Sequence, residues 1–434
     1  ILSGLVGSEM CIRDRLKSSR EPPIRELGEL TAETDTRDYL YAAARQQKRE
    51  YDDYELIVDV DAHIQEGRFW PEILPFMEND VLRNTAELMQ KRGVNNPLVP
   101  AAPGLAFQSL DGRVAHQEGP KEKVPDATKP GEAFAEIMRR SMDAMGCDYQ
   151  VIFPTAMLNL GLNPMEDVEV YMGRAYMRWL TEVIFPLDKR LIGFAYLPFN
   201  TPNEAERIVR EYANHPQIVG FTICSVRYKP VWHNTYMRLY KMIEETGKPL
   251  SFHSGIIWQD QSFSQLNRFL SMHALSFVHF NSIHITNWVI NALPERFPKL
   301  KLIWIESGLA WVPYLMQRLD HEVLMRPSEA PGLKRLPSEY MQDMFYSSQP
   351  LERTDMKLLN ATMDKIKAET QLLYASDWPH WDFDPPSSIT SLPFLTDQAK
   401  RNILGLNAAK LLNLPIKRLR PSAASVMADR AGHR

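Results

Sequence analysis

In the run Asp59-Val60-Asp61-Ala62-His63 a polar group recurs at every second residue. On an extended strand that spacing sends Asp59, Asp61 and His63 to one side and Val58, Val60 and Ala62 to the other. A strand end often carries one aspartate as a cap for the next loop. Convergent carboxylates with an imidazole are instead suited to holding a divalent cation. Two further groups end apolar runs, His253 in Ser251-Phe252-His253-Ser254-Gly255 and Asp377 in Ala375-Ser376-Asp377-Trp378-Pro379-His380. Taken singly, His253 reads as an ordinary structural histidine and Asp377 as an N-cap. Taken together, Asp61, His63, His253 and Asp377 offer two nitrogen and two oxygen ligands. That set suits one divalent metal ion, zinc first, with manganese, iron or magnesium as alternatives. Fewer protein ligands than a full shell leave positions for water or substrate, the arrangement of a catalytic site. Glu306, in Ile305-Glu306-Ser307-Gly308, is another carboxylate after an apolar run. It reads as the partner of a nearby Arg or Lys, or as an acid–base group if burial raises its pKa.

The elements that must position these groups repeat along the chain. Apolar or β-branched runs occur at 56–64, 149–155, 191–199, 219–226, 249–255, 301–308, 344–350 and 372–380, with amphipathic helical patterns between them. Eight strands each followed by a helix predict an α/β fold, a (β/α)8 TIM barrel over residues 56–413. The polar groups then fall at the C-terminal ends of the strands, the active-site face of a barrel. The excess length is an inserted β1–α1 loop region at about 65–130, which contains NNPLVPAAPG and EGPKEKVPDATKPG and is expected over the mouth. Residues 16–55 form an N-terminal helical extension, expected outside the barrel or against a second subunit. Residues 1–15 read as a non-native, linker-like segment, and 414–434 as a flexible tail.

Composition narrows the partners. With 50 Lys+Arg against 54 Asp+Glu in 434 residues there is no basic excess to meet phosphates, so nucleic acid is not an expected partner. At 44% hydrophobic and 24% charged, the chain is globular rather than disordered. Apolar stretches are broken by charge well before the roughly 18 residues of a membrane span, and the opening segment lacks a secretory pattern. Cys11, Cys147 and Cys224 show no metal or disulfide spacing. A cytoplasmic protein acting on a small molecule is expected.

Four phrases, DVDAHI, LSFHSG, LPERFPKLKLIWIESGLAWVPYLMQRLD and YASDWPHWD, give residues 56–413 a resemblance to the amidohydrolase superfamily. Within it the chain is similar to the amidohydrolase-related group that includes aminocarboxymuconate semialdehyde decarboxylase. The resemblance implies a metal-dependent barrel, with Asp61 and His63 as the strand 1 ligands, His253 as the strand 5 ligand, and Asp377 as an aspartate that binds metal and handles a proton. Many members begin the strand 1 pair with histidine, and several phenol decarboxylases begin it with a carboxylate. The chain departs from the group at strand 6, where Glu306-Ser307-Gly308 stands in place of a His-x-Gly phrase. Glu306 is therefore expected to serve in acid–base catalysis, more for turnover than for metal retention, or else to bind the metal.

His279 and His284 compete for the vacant histidine role; five residues apart, they do not share a helix face. His380 is a candidate to orient Asp377. Arg227 and Lys229 could hold a substrate carboxylate, though solvated loop residues are the plainer reading. The resemblance favours a nonoxidative decarboxylase of a small carboxylated aromatic or unsaturated acid. A metal-dependent hydrolase of a lactone, amide or C–C bond is the alternative, and a catalytically inactive binding barrel the second. It also makes a homodimer the expected assembly.

Overall fold

The computed structural model describes residues 36–99, 129–224, 229–257, 260–263, 265–266, 268–380 and 382–426. The expectations for residues 1–15 and for Arg227 lie outside them. Eight parallel strands run in chain order around the sheet: β1 (Val58–Ile64), β2 (Tyr149–Pro154), β3 (Leu191–Tyr196), β4 (Ile218–Cys224), β5 (Leu250–His253), β6 (Leu302–Ile305), β7 (Phe345–Ser347) and β8 (Leu372–Leu373). The fold is the expected (β/α)8 barrel, with the helices Glu132–Met145, Glu166–Trp179, Pro202–Tyr212, Met237–Thr246, Phe269–Ile290, Trp311–Met325 and Met356–Lys365 between successive strands. No helix among the described residues is long and apolar enough to cross a membrane.

Strand alternation separates two apolar layers. Val58, Val60, Val151, Phe153, Ile303, Ile305 and Leu373 share an inner cluster. Ile57, Ile152, Phe252, Trp304 and Leu372 point the other way, into the layer that packs under the helices. The observed strands stop earlier than the apolar runs suggest, most plainly at β8. Beyond Leu373 the chain leaves β7 and hydrogen-bonds to β1: Val60 N donates to Tyr374 O at 2.9 Å, Asp377 N to Asp61 O at 2.8 Å, and His63 N to Trp378 O at 2.7 Å. Ala62 and Trp378 form a parallel bridge. These contacts close the barrel.

The closure corrects the reading of strand 1. The register of β1 against β2 shifts between Asp59 and Ala62, a bulge that reverses the alternation. Val58 and Val60 therefore both face the barrel interior, yet Asp61 and His63 face it as well, while Ala62 and Ile64 join the outer layer. Asp59 does not converge with Asp61 and His63. Its carboxylate instead accepts from Ser376 Oγ at 2.6 Å, Ser376 N at 2.8 Å, Gln150 Nε2 at 2.8 Å and Asp61 N at 3.2 Å.

The segments flanking the barrel are partly docked. The helix Thr36–Glu50 of the N-terminal extension packs on the barrel's outer layer through Ala43 and Ala44, and its Gln46 accepts from Ser387 Oγ at 3.2 Å. Residues 414–426, expected as part of a flexible tail, are strapped across the start of the barrel. The buried Arg420 pairs with Asp148 and donates to Tyr54 O, and Arg418 bonds Asp52 at 2.6 Å. Of the inserted region, 65–99 is described and carries the helix Asp80–Lys91, capped by Asn79.

Because four donors converge on Asp59, Asp59→Asn places an N–H2 group against donors in the seam. That variant should lose about 1–3 kcal/mol of stability, read as a lower urea midpoint at unchanged slope. An unchanged midpoint would show that closure does not depend on this carboxylate.

Candidate metal centre

At the C-terminal ends of β1, β5, β6 and β8 the chain brings five buried side chains together. Nε2 of His63 lies 3.3 Å from Asp61 Oδ1, 3.3 Å from Asp377 Oδ1 and 3.7 Å from Glu306 Oε2. Nε2 of His253 lies 3.4 Å from Asp61 Oδ1 and 3.4 Å from Glu306 Oε2. One potential ligand atom from each of Asp61, His63, His253 and Glu306 falls within 4.8 Å of the others, and a second, overlapping group joins His63, Glu306, Asp377 and His380.

The hydrogen bonds behind the two histidines fix what they present. His63 Nδ1 faces Pro154 O at 2.9 Å, and His253 Nδ1 faces Ser254 O at 2.7 Å. A carbonyl only accepts, so each Nδ1 carries a proton and donates it. Both Nε2 atoms then show lone pairs to each other across 3.2 Å, an arrangement that repels unless a cation lies between them. Asp61 Oδ1 and Oδ2, Glu306 Oε2 and Asp377 Oδ2 are buried without a hydrogen-bond partner. Orphaned acceptors of this kind are costly. Ligand atoms bound at about 2.1 Å in neighbouring positions of a tetrahedral or octahedral shell stand about 3.0–3.4 Å apart. The side chains therefore fit a single divalent ion.

Backbone conformation marks the same place. Glu306 (φ 49°) and Asp377 (φ 60°) both adopt the left-handed region, which non-glycine residues enter at a cost and which clusters at functional sites. The turn after Glu306 is held by Ser347 Oγ, which accepts from Glu306 N at 2.9 Å, and by Glu352, which accepts from Leu309 N at 2.9 Å.

The charges respond to burial and to one another. Burial lowers His63 to about 4, with His380 adding to the effect and Asp61 opposing it, so the ring is neutral at pH 7 and its lone pair is available. Burial would raise Asp61, and positive charge beside it, on His253 and His63, lowers it below the usual carboxylate range; with neutral rings a bound cation would play that part. Burial pushes Glu306 well above that range, with Asp377 and Asp61 adding to it. Asp377 is also raised, by burial first and then by Asp382 and Asp61.

The other candidates divide. His380 is at the site, its Nδ1 2.6 Å from Asp377 Oδ1 and its ring 4.4 Å from that of His63. His284 is not. Its ring packs against Phe252, whose side chain lies on the opposite face of β5 from His253, under the helices. His279 packs against Phe263 and Phe280, so neither histidine of that helix fills the place of the strand 6 histidine. Lys229 is exposed. Two residues at the site carry no motif that singles them out: Thr155, whose Oγ1 lies 3.2 Å from His380 Nε2, and Glu66, which accepts from the backbone that follows β2; Asp382, which ends the phrase YASDWPHWD, accepts from Gln349 Nε2 at 3.2 Å.

Residues 58–414 match the sequence profile of the amidohydrolase family. No curated protein matches the chain. Among solved structures, 5-carboxyvanillate decarboxylase LigW from Sphingomonas paucimobilis superposes with a TM-score of 0.58 at 19% identity, over 83% of this chain and 99% of that one. A dihydroxybenzoic acid decarboxylase from Polaromonas sp., solved with bound manganese and the inhibitor 2-nitroresorcinol, gives 0.58 at 17% identity over 83% and 97%. An amidohydrolase from Mycobacterium avium subsp. paratuberculosis gives 0.60 at 18% over 83% and 99%. At these identities the likeness is one of fold.

His253→Ala should abolish stoichiometric metal while leaving far-UV circular dichroism nearly unchanged, and Glu306→Gln should weaken metal affinity about tenfold or more. The raised carboxyls Glu306 and Asp377 hold protons to higher pH than usual, and a bound ion must displace them. Manganese affinity is therefore expected to weaken as the pH falls from 8 to 6, with proton release visible by calorimetry in buffers of different ionisation heat. Binding that is independent of pH would take these two carboxyls out of the metal's environment.

Proposed function

This chain belongs to the amidohydrolase family, and from that premise we propose that it is a metal-dependent nonoxidative decarboxylase of a small carboxylated aromatic or unsaturated acid. The observation that carries the reading is the carboxylate content of the site, where Glu306 joins Asp61 and Asp377 around His63 and His253. Carboxylate ligands reduce the net charge of a dication relative to neutral imidazoles, so its bound water is less acidic and hydroxide for hydrolysis is scarcer at neutral pH. The oxygen share also suits manganese as well as zinc, and manganese is the ion held by the Polaromonas decarboxylase. When bound, the ion supplies Lewis-acid attachment and orientation for neighbouring substrate oxygens.

The chain's own groups then handle the proton. Asp377, whose carboxyl burial makes a weaker acid than usual, is placed to carry a proton passed to it from His380. Its Oδ2 has no other partner, while its Oδ1 lies against His380 Nδ1 at 2.6 Å. As the bond to the carboxyl carbon breaks and CO2 departs, the electron pair left on the substrate carbon takes that proton. His380 is placed to return one to Asp377. Asp61, His63 and His253 hold the geometry, and Glu306 completes it.

The test begins with elemental analysis of freshly purified protein. The metal-loaded protein is then incubated in D2O with hydroxylated benzoates and carboxymuconate-type acids and, in parallel, with lactones and anilides. Deuterium at the carbon vacated by CO2 is the expected result, and Asp377→Asn should reduce its incorporation by about 10²–10⁴-fold. Turnover confined to the lactones or anilides would overturn the decarboxylase reading.

A further inference from the structure

Thr155, the first residue past β2, places its hydroxyl oxygen between two rings, 3.4 Å from His63 Nδ1 and 3.2 Å from His380 Nε2. The direction of these contacts follows from the groups beyond them. His63 Nδ1 bears a proton, because it faces Pro154 O at 2.9 Å. Toward Thr155 it therefore presents N–H, and the hydroxyl must send its own proton elsewhere. The other ring nitrogen within reach is His380 Nε2. A hydroxyl donating there makes Nε2 an acceptor, which leaves the ring proton on Nδ1, 2.6 Å from Asp377 Oδ1.

Thr155 is itself held from below. The buried carboxylate of Glu66 accepts from Thr155 N at 3.2 Å, Ala156 N at 3.0 Å and Met157 N at 3.0 Å. These are the amides of the N-cap and the first two residues of the 3-10 helix Ala156–Leu162, groups that a helix start leaves without internal partners. Burial raises Glu66 to about 7, so above that pH it is an ionised acceptor on several amides, a stiff restraint. Glu66 touches neither ring.

We propose that Thr155 is a positioning residue that donates its hydroxyl proton to His380 Nε2, so that His380 presents an Nδ1–H to Asp377, and that Glu66 acts through Thr155 by fixing the turn that carries it. Glu66 and Thr155 thus set the direction in which a proton reaches Asp377, with the backbone that follows β1 and the backbone that follows β2 as their frame. The use of that proton in catalysis rests on the decarboxylase reading; the hydrogen-bond direction does not.

The test therefore uses a readout without substrate. Full-length protein labelled with ¹⁵N-histidine and loaded with zinc, which is diamagnetic, is observed at pH 8 by long-range ¹H–¹⁵N correlation, with His380 assigned by its loss in His380→Gln. Wild type should show His380 protonated on Nδ1 and hydrogen-bonded at Nε2. Thr155→Val keeps the shape and removes the donor, so the Nε2 resonance should move toward that of an unbonded ring nitrogen, and Thr155→Ser should restore it. Glu66→Gln should move it the same way, and the double variant no further. With a substrate in hand, Thr155→Val should lower kcat by up to about tenfold with KM and metal content unchanged. A proton on Nε2 in wild type, or an Nε2 resonance unmoved in Thr155→Val, overturns the proposal. An unmoved resonance in a folded Glu66→Gln protein overturns the part assigned to Glu66, and Thr155→Val tests the remainder if that variant does not fold.

Discussion

The bonds between the last strand and the first hold the site in place. Asp59 joins Ser376 through side chain and backbone, and the backbone pairs of Asp61 with Asp377 and of His63 with Trp378 lie directly above. Both partners of each upper pair sit at the candidate metal site or beside it. The bulge in β1 makes this possible. A regular strand would keep Asp59, Asp61 and His63 on one face and give Asp59 no route to Ser376. One extra residue sends Asp59 to the seam and leaves Asp61 and His63 facing the axis, beside an Asp377 whose backbone conformation is itself strained.

A second regularity supports the first. Turns that carry reactive groups are tied by carboxylates that accept backbone N–H groups: the buried Glu66 after β2 and Glu352 after β6. At the opposite end of the barrel Asp148 does the same for Ile57 and Leu419. An ionised acceptor shared among amides is stronger than a neutral one. Loops tied this way hold their side chains closely without a long run of regular structure, which is what a preorganised site requires.

Much of this was legible in the sequence, for identifiable reasons. Buried parallel strands are nearly continuous apolar runs, so all eight could be placed. Polar residues at their ends stand out against that background, which is why Asp61, His63, His253 and Asp377 were visible. The bulge was not, because no residue type in VDVDAHI announces it; it is a shift in the register of β1 against β2, and the seam partner it gives Asp59 lies more than 300 residues away. Glu306 was visible as a strand-end carboxylate, but its reach into the ligand cluster depends on a left-handed backbone that sequence does not encode locally. His279 and His284 were misleading because the direction of a helical side chain depends on how the helix is rotated against the sheet, and there Phe252 and Phe263 claim them. Thr155 and Glu66 matter through contacts that follow from the fold alone.

The Arg420 strap and the Asp59–Ser376 pair have a consequence for biosynthesis. The seam joins positions 317 apart, and the strap lies farther still toward the C-terminus. A ribosome must therefore deliver nearly the whole barrel before either contact can form. Until then β1 has no closing neighbour, and Asp61 and His63 lack the strand that would hold them in place. Loop closure of that length is slow relative to local helix formation. A candidate site that includes Asp377 is thus complete only after the last strand has emerged, and its full ligand set would be the last part of the barrel to form.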